Sequence, residues 1–239
     1  MRIVYMGTPD FAVDTLEAIV RAGHEVALVV TQPDKAKGRG KKYMYPPVKE
    51  TALAHGLSVA QPERVREEAF IEELERIQPD VIVVVAFGQL LPERILQIPR
   101  YGCINVHASL LPAYRGAAPI QWAVIDGQRE TGVTTMYMEK GLDTGDIICQ
   151  RRVKVTPQET GGSLFERLAK EGAELMLETL TQLEQGTATR TKQDETRSSY
   201  AGRLTKDMGL LDFSKDAVQL ERLIRGLNPW PSAFTVMEG

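Results

Sequence analysis

Strand-like and helix-like segments alternate through the first half of the chain, which predicts an α/β fold built on a doubly wound, mostly parallel sheet. Two observations carry this reading. Asp80 to Ala86 contains Val81-Ile82-Val83-Val84-Val85, apolar on both faces, as in a strand buried mid-sheet between two helix layers. Short β-forming runs at Arg2–Met6 and Val26–Thr31 are separated by a segment of helical period.

Each element follows in order. Arg2–Met6 leads into a Gly7-Thr8-Pro9 turn, and Asp10 is placed to cap a helix with Phe11, Leu16, Ile19 and Val20 on its inner side. Gly23 stops that helix. Val48 to His55 reads as a helix ending at Gly56, with a short strand near Leu57 to Ala60. Glu63 to Ile77 reads as a charged helix whose glutamates form a solvated face. Further strands are expected at Cys103–His107, Gly132–Glu139 and Ile147–Val155. A long helix is expected from about Ser163 to Glu184, with Leu164, Leu168, Leu175, Leu180 and Leu183 as its buried stripe. From Thr187 to Arg203 large apolar residues are scarce and Thr, Ser, Arg and Gln are common, the composition of a linker. Beyond it, Ala217–Arg225 is a helix candidate, followed by Asn228-Pro229-Trp230-Pro231.

The 239 residues are 43% hydrophobic and 26% charged, ordinary globular usage that argues against a disordered or fibrous chain. A net charge of −3 gives no general attraction to nucleic acid, so any such contact must be local. The longest apolar run, Val81 to Phe87, is far short of the ~20 residues that span a bilayer. Met1 to Gly7 breaks too early for a signal sequence. Two cysteines, Cys103 and Cys149, form no disulfide or zinc pattern. A soluble, cytoplasmic protein is expected.

Gly7-Thr8-Pro9-Asp10 has one glycine where a dinucleotide fingerprint needs three, and Gly38-Arg39-Gly40-Lys41-Lys42 lacks the spacing of a phosphate-cradling Walker loop. The latter sits in an unusual stretch. Lys35, Lys37, Arg39, Lys41, Lys42 and Lys49 place six positive charges within fifteen residues. On charge alone, a contact to phosphates and a solvated loop are equally good readings. Asn105 and His107, two apart on an expected strand, share a face at its carboxyl end, where open α/β sheets place their sites. An amide beside an imidazole can stabilise an oxyanion; a structural histidine is the alternative. Glu139 to Asp146 is a loop with three carboxylates, read either as a capped turn or as the source of a carboxylate that orients His107.

Taken together, Met6 to Ala12, Gln32 to Lys42, Phe87-Gly88-Gln89-Leu90-Leu91-Pro92, Asn105 to Ile120 and Gly141-Leu142-Asp143-Thr144-Gly145-Asp146 resemble the folate-dependent formyltransferases. The basic loop, the Gly-Thr-Pro-Asp-Phe start and Asn228-Pro229-Trp230-Pro231 narrow the resemblance to the branch acting on methionyl-tRNA. It runs from Arg2 to about Trp230 and implies a Rossmann-like formyltransferase fold. Members of that branch move a formyl group from 10-formyltetrahydrofolate to the α-amino group of methionine on initiator tRNA.

The resemblance implies Asn105, His107 and Asp143 as the catalytic set. It implies Phe87, Gly88, Gln89, Leu90, Ser109, Leu110, Leu111, Pro112 and Leu142 around the folate, with Leu91 at the edge of that loop. Lys35, Lys37, Arg39, Lys41 and Lys42 would lie against the tRNA, with Arg39 reading its unpaired end. No metal is implied, and a monomer is expected with no membrane partner.

The expected division is a catalytic domain at 1–186, a linker at 187–203 and a C-terminal part at 204–239. The family's C-terminal β-barrel needs about 70 residues or more, so 204–239 is read as its incomplete start, with truncation preferred to a degenerate barrel. Two alternatives are a formyltransferase for glycinamide ribonucleotide or an amino-sugar nucleotide, and a folate- or RNA-binding protein without catalysis.

Overall fold

Val81–Val85 forms β6, and all five residues are buried. The computed structural model describes residues 1–37 and 42–236. Around β6 the strands are β1 (Arg2–Gly7), β2 (Glu25–Val30), β5 (Val59–Ala60), β7 (Cys103–His107), β9 (Glu130–Tyr137) and β10 (Ile147–Lys154), in the spatial order β10-β9-β7-β6-β1-β2-β5. β1 pairs in parallel with β2 and β6, β2 with β5, and β6 with β7, whereas β9 runs antiparallel to both β7 and β10. The mostly parallel sheet is as expected. Smaller pairs are the hairpin β3 (Lys35–Lys37) with β4 (Lys42–Met44), and β8 (Arg115–Gly116) with β11 (Tyr200–Ala201).

The helices are α1 (Val13–Arg21), α2 (Pro47–Ala54), α3 (Glu68–Ile77), α4 (Glu93–Leu96), α5 (Pro119–Ile125), α6 (Gly161–Gln185) and α7 (Ala217–Gly226). Strand alternation divides the core in two. Ile3, Tyr5, Val83, Ile104 and Val106 face α1 and α6, whose Leu16, Ile19, Leu164, Leu168 and Leu180 fill the first layer. Val4, Met6, Ile82, Val84 and Cys103 face α3 and α4, with Phe70, Leu74 and Ile95 in the second. α6 starts at a reciprocal cap, with Ser163 N–H donating to Thr160 Oγ1 and Thr160 N–H to Ser163 Oγ, and it stops at Gly186 with φ 69°. No helix among the described residues is long and apolar enough to cross a membrane.

Several local expectations are corrected. Asp10 caps nothing: residues Asp10–Ala12 form a 3₁₀ turn, and the α-helix begins only at Val13. The charged helix starts at Glu68 rather than Glu63, because Gln89 Oε1 accepts the Val65 N–H at 2.9 Å and Glu67 Oε1 the Arg64 N–H at 3.1 Å, holding 63–67 as a turn. Lys49 belongs to α2, where its ammonium is bound by Asp34 (2.7 Å) and Gln61 (2.6 Å) rather than free in a basic loop. These two partners also hold the Asp34 carboxyl below its ordinary range, Lys49 first.

The segment at 187–203 is extended along the molecule. Thr191 bridges Ile147, and Tyr200–Ala201 pairs with Arg115–Gly116. α7 lies where a helix was expected, and its Leu223, with Leu227 just after the helix, packs near Ala118 and Trp122.

Leu168 is fully buried beneath the sheet. Leu168→Ala should lower stability by about 2–5 kcal/mol, read as a shift in the urea midpoint; a loss below 1 kcal/mol would show that α6 is not closing the core.

Candidate active site

The layer alternation that buries Ile104 and Val106 beneath α6 turns Asn105 and His107 to the opposite face. On that face α3 and α4 cover the strands around β1 and β6. Over β7 and β9 the cover is different: it is the loop after β9 and the extended segment after α6. Gln193 Nε2 lies 4.0 Å from the Met136 sulfur of β9, and Asp143 of the loop lies against His107.

His107 is 6% exposed. Its Nε2 donates to the Tyr114 carbonyl at 2.8 Å, which fixes the proton on that nitrogen. Nδ1 therefore turns toward Asp143, whose Oδ2 stands 3.7 Å away. That distance is too long for a hydrogen bond and short enough for charge pairing, so the carboxylate faces the imidazole while its other lone pairs stay open to a group beside the pair. Asp143 Oδ2 also accepts the Gly116 backbone N–H at 2.8 Å. Both residues that touch the imidazole have left-handed backbones, Tyr114 at φ 59° and Asp143 at φ 53°, a conformation worth roughly 1–3 kcal/mol of strain that persists only where surroundings over-determine it. Tyr114 is anchored at its far end, where the phenol donates to Asp126 at 2.9 Å. Burial first, then Asp126, pushes that phenol up to about 12, so it remains a donor at neutral pH. Asn105 is half-buried, and its amide meets no hydrogen-bonding group among the described residues.

The structure thus brings the three expected catalytic side chains to one face. The expected folate residues divide into two kinds. Leu90, 75% exposed, and Leu142, 48% exposed, are apolar side chains at the surface. Gly88 is exposed with φ 87°, and Gln89 braces the loop through Val65 N–H and the Glu63 carbonyl. Phe87, Leu91 and Leu111 are core residues. Ser109 is fully buried, its hydroxyl donating to the Ala113 carbonyl at 2.6 Å, while Thr134 ties the Ser109 carbonyl and the Leu111 N–H. Ser109 through Pro112 therefore shape the turn after His107, with Leu110 and Pro112 partly exposed.

Of the expected tRNA residues, Lys35 is exposed at the start of β3, and Lys37 pairs with Lys42 across the hairpin. Arg39 and Lys41 lie outside the described residues. Sequence reasoning missed the Tyr114 carbonyl, the Gly116 N–H, Arg115 and Gln193. Arg115-Gly116 stood within a quoted motif but carried no titratable or nucleophilic signal, and Gln193 stood in a segment of linker composition.

Comparison with known proteins bears on the family and the fold. Residues 1–180 match the family model described as formyl transferase, and residues 203–239 match that of the formyl transferase C-terminal domain. A protein of Lachnospira eligens named methionyl-tRNA formyltransferase is 64% identical over 239 residues, covering 100% of this chain and 76% of its own length. One of the same name from Agathobacter rectalis is 61% identical, covering 100% and 77%. Among solved structures, a 4-N formyltransferase from Francisella tularensis superposes with TM-score 0.78 at 18% identity, covering 99% of this chain and 93% of that one, a likeness of fold. With its model matched over 180 residues and its expected catalytic trio gathered on one sheet face, the chain belongs to the formyl transferase family.

Proposed function

We propose that the chain transfers the formyl group of 10-formyltetrahydrofolate to the α-amino group of methionyl-initiator tRNA in the cytoplasm. The observation that carries this is the approach of Asp143 Oδ2 to within 3.7 Å of His107 Nδ1 on the sheet face that also carries Asn105, whose amide meets no hydrogen-bonding group among the described residues. The named relatives, at 64% and 61% identity over the whole chain, support the acceptor. The division into a catalytic part through residue 186, a connecting segment and a C-terminal part is retained in this reading.

The folate co-substrate supplies an activated formyl carbon on its N10. The residues present fit it: Leu90 and Leu142 offer exposed apolar surface for a flat ring system, and the half-buried Asn105 amide, without a hydrogen-bond partner among the described residues, would be available as a donor to the formyl oxygen. Asn105 N–H donates to the formyl oxygen as the amine attacks and the oxygen gains charge. His107, protonated at Nδ1 while Nε2–H stays on Tyr114, gives the second donor. Asp143 faces this imidazolium and takes the proton lost by the attacking nitrogen. His107 gives its Nδ1 proton to the departing N10 as the old C–N bond breaks and the new one is complete, and the proton held on Asp143 then passes to the facing His107 Nδ1, which restores the starting pair. Lys35, Lys37, Arg39, Lys41 and Lys42 supply the local positive charge that the chain of net −3 otherwise lacks, and meet the acceptor phosphates.

Two outcomes test this. His107→Ala and Asp143→Ala should each lose about 10²–10⁴ in turnover with folate binding kept, measured by formyl transfer to methionyl-initiator tRNA and by fluorescence titration; near-normal turnover in both, or transfer to glycinamide ribonucleotide instead, overturns the reading. Charge reversal at Lys41 and Lys42 should weaken tRNA binding and flatten its salt dependence by roughly 0.9 in log–log slope for each phosphate no longer neutralised, with folate binding unchanged; an unaltered slope removes the loop from the interface.

A further inference from the structure

Asp143 is held by its side chain from one direction and by its backbone from another. The Gly116 N–H grips the carboxylate at 2.8 Å. The backbone grip comes from Gln193, fifty residues on, whose Nε2 donates to the carbonyls of Asp143 and Gly145, each at 2.8 Å. These bonds act on a loop that resists its own conformation, since Asp143 is left-handed at φ 53°. Gly145 is pressed so close to β9 that a Cβ there would lie 1.7 Å from the Tyr137 carbonyl oxygen. The Gln193 amide is itself oriented. Its Oε1 accepts from Arg115 Nε at 3.1 Å and Nη2 at 2.8 Å, and only an oxygen can face two guanidinium donors. Nε2 is thereby turned to the loop. Arg115 is in turn paired with Glu195.

We infer that Gln193 is a positioning residue that sets the distance of Asp143 from His107, an inference that rests on reading Asp143 as catalytic. Without Gln193 the two carbonyls turn to water, the left-handed residue relaxes, and the carboxylate swings about its single tether at Gly116. A displacement of about 1 Å at a reacting group can cost some 10² in rate. The effect acts through Asp143 alone, so it vanishes when Asp143 is gone. Removal of a merely structural brace would instead lower activity regardless of what stands at position 143.

The test is a double-mutant cycle with Gln193→Met, which keeps the length of the side chain beside Met136 but removes its hydrogen bonds. Turnover is expected to fall about 10- to 100-fold, with KM for both substrates within twofold and an unchanged thermal midpoint. In the Asp143→Ala background the same change should alter turnover less than twofold. Glu195→Gln, which leaves the Gln193 bonds to the loop in place, should stay within twofold of the parent. Hydrogen exchange of residues 139–146 should quicken in Gln193→Met and not in Glu195→Gln, a readout independent of turnover; should Gln193→Met not fold, Gln193→Ala takes its place.

Unchanged turnover or unchanged exchange in the Gln193 variant overturns the inference. So does a loss that adds in full to that of Asp143→Ala, or an equal loss in Glu195→Gln. Near-normal turnover in Asp143→Ala alone would instead overturn the catalytic reading on which the inference stands.

Discussion

Two polar side chains on one face of a buried β-strand impose opposing demands. Asn105 and His107 share the face of β7 that, one strand further in, carries Val84 and Ile82 against α3 and α4. A helix laid over β7 as well would bury the amide and the imidazole without room for substrates. Leaving the face bare would expose the apolar residues beside them. The fold resolves this with two non-helical covers, the loop of Asp143 and the extended segment through Gln193, which shield Met136 while bringing polar groups to the imidazole. The left-handed residues, the close approach of Gly145 and the β8–β11 pair all belong to that solution.

This arrangement also explains how His107 is specified. A lone buried imidazole would be free to choose its tautomer. Here a backbone carbonyl claims Nε2–H and a carboxylate faces Nδ1, so each ring nitrogen has a defined partner. The Tyr114 carbonyl is presented by a residue whose side chain is fixed at Asp126, with Gln128 donating to the same phenol oxygen. The imidazole is therefore positioned from α5 on one side and from the loop after β9 on the other.

What the sequence disclosed follows from range. β6 and α6 were legible because burial on both faces and a leucine stripe are local periodicities. The Asn105–His107 pair was legible because two residues on one strand share a face by geometry alone. The short helices α4 and α5 span too few turns to show a period, and the start of α3 was displaced by a glutamine twenty-four residues away. The Ser109–Pro112 stretch was legible as a motif, yet the burial of Ser109 was not, because a serine that serves a turn and one that serves a ligand look alike in sequence. Gln193 and Gly116 act only through tertiary contacts, which carry no local pattern.

The pairing of β8 with β11 has a consequence for how the site comes into being. Arg115–Gly116 is completed by Tyr200–Ala201, more than eighty residues later in the chain. During vectorial synthesis, every strand of the main sheet and all three side chains of the trio emerge before the segment that locks them together. The sheet can close first and its polar face remain slack until that ribbon arrives, so maturation of the site is a separate, later event from formation of the core. A fragment ending at Gly186 would thus possess the trio and its scaffold while missing the ribbon that sets their spacing.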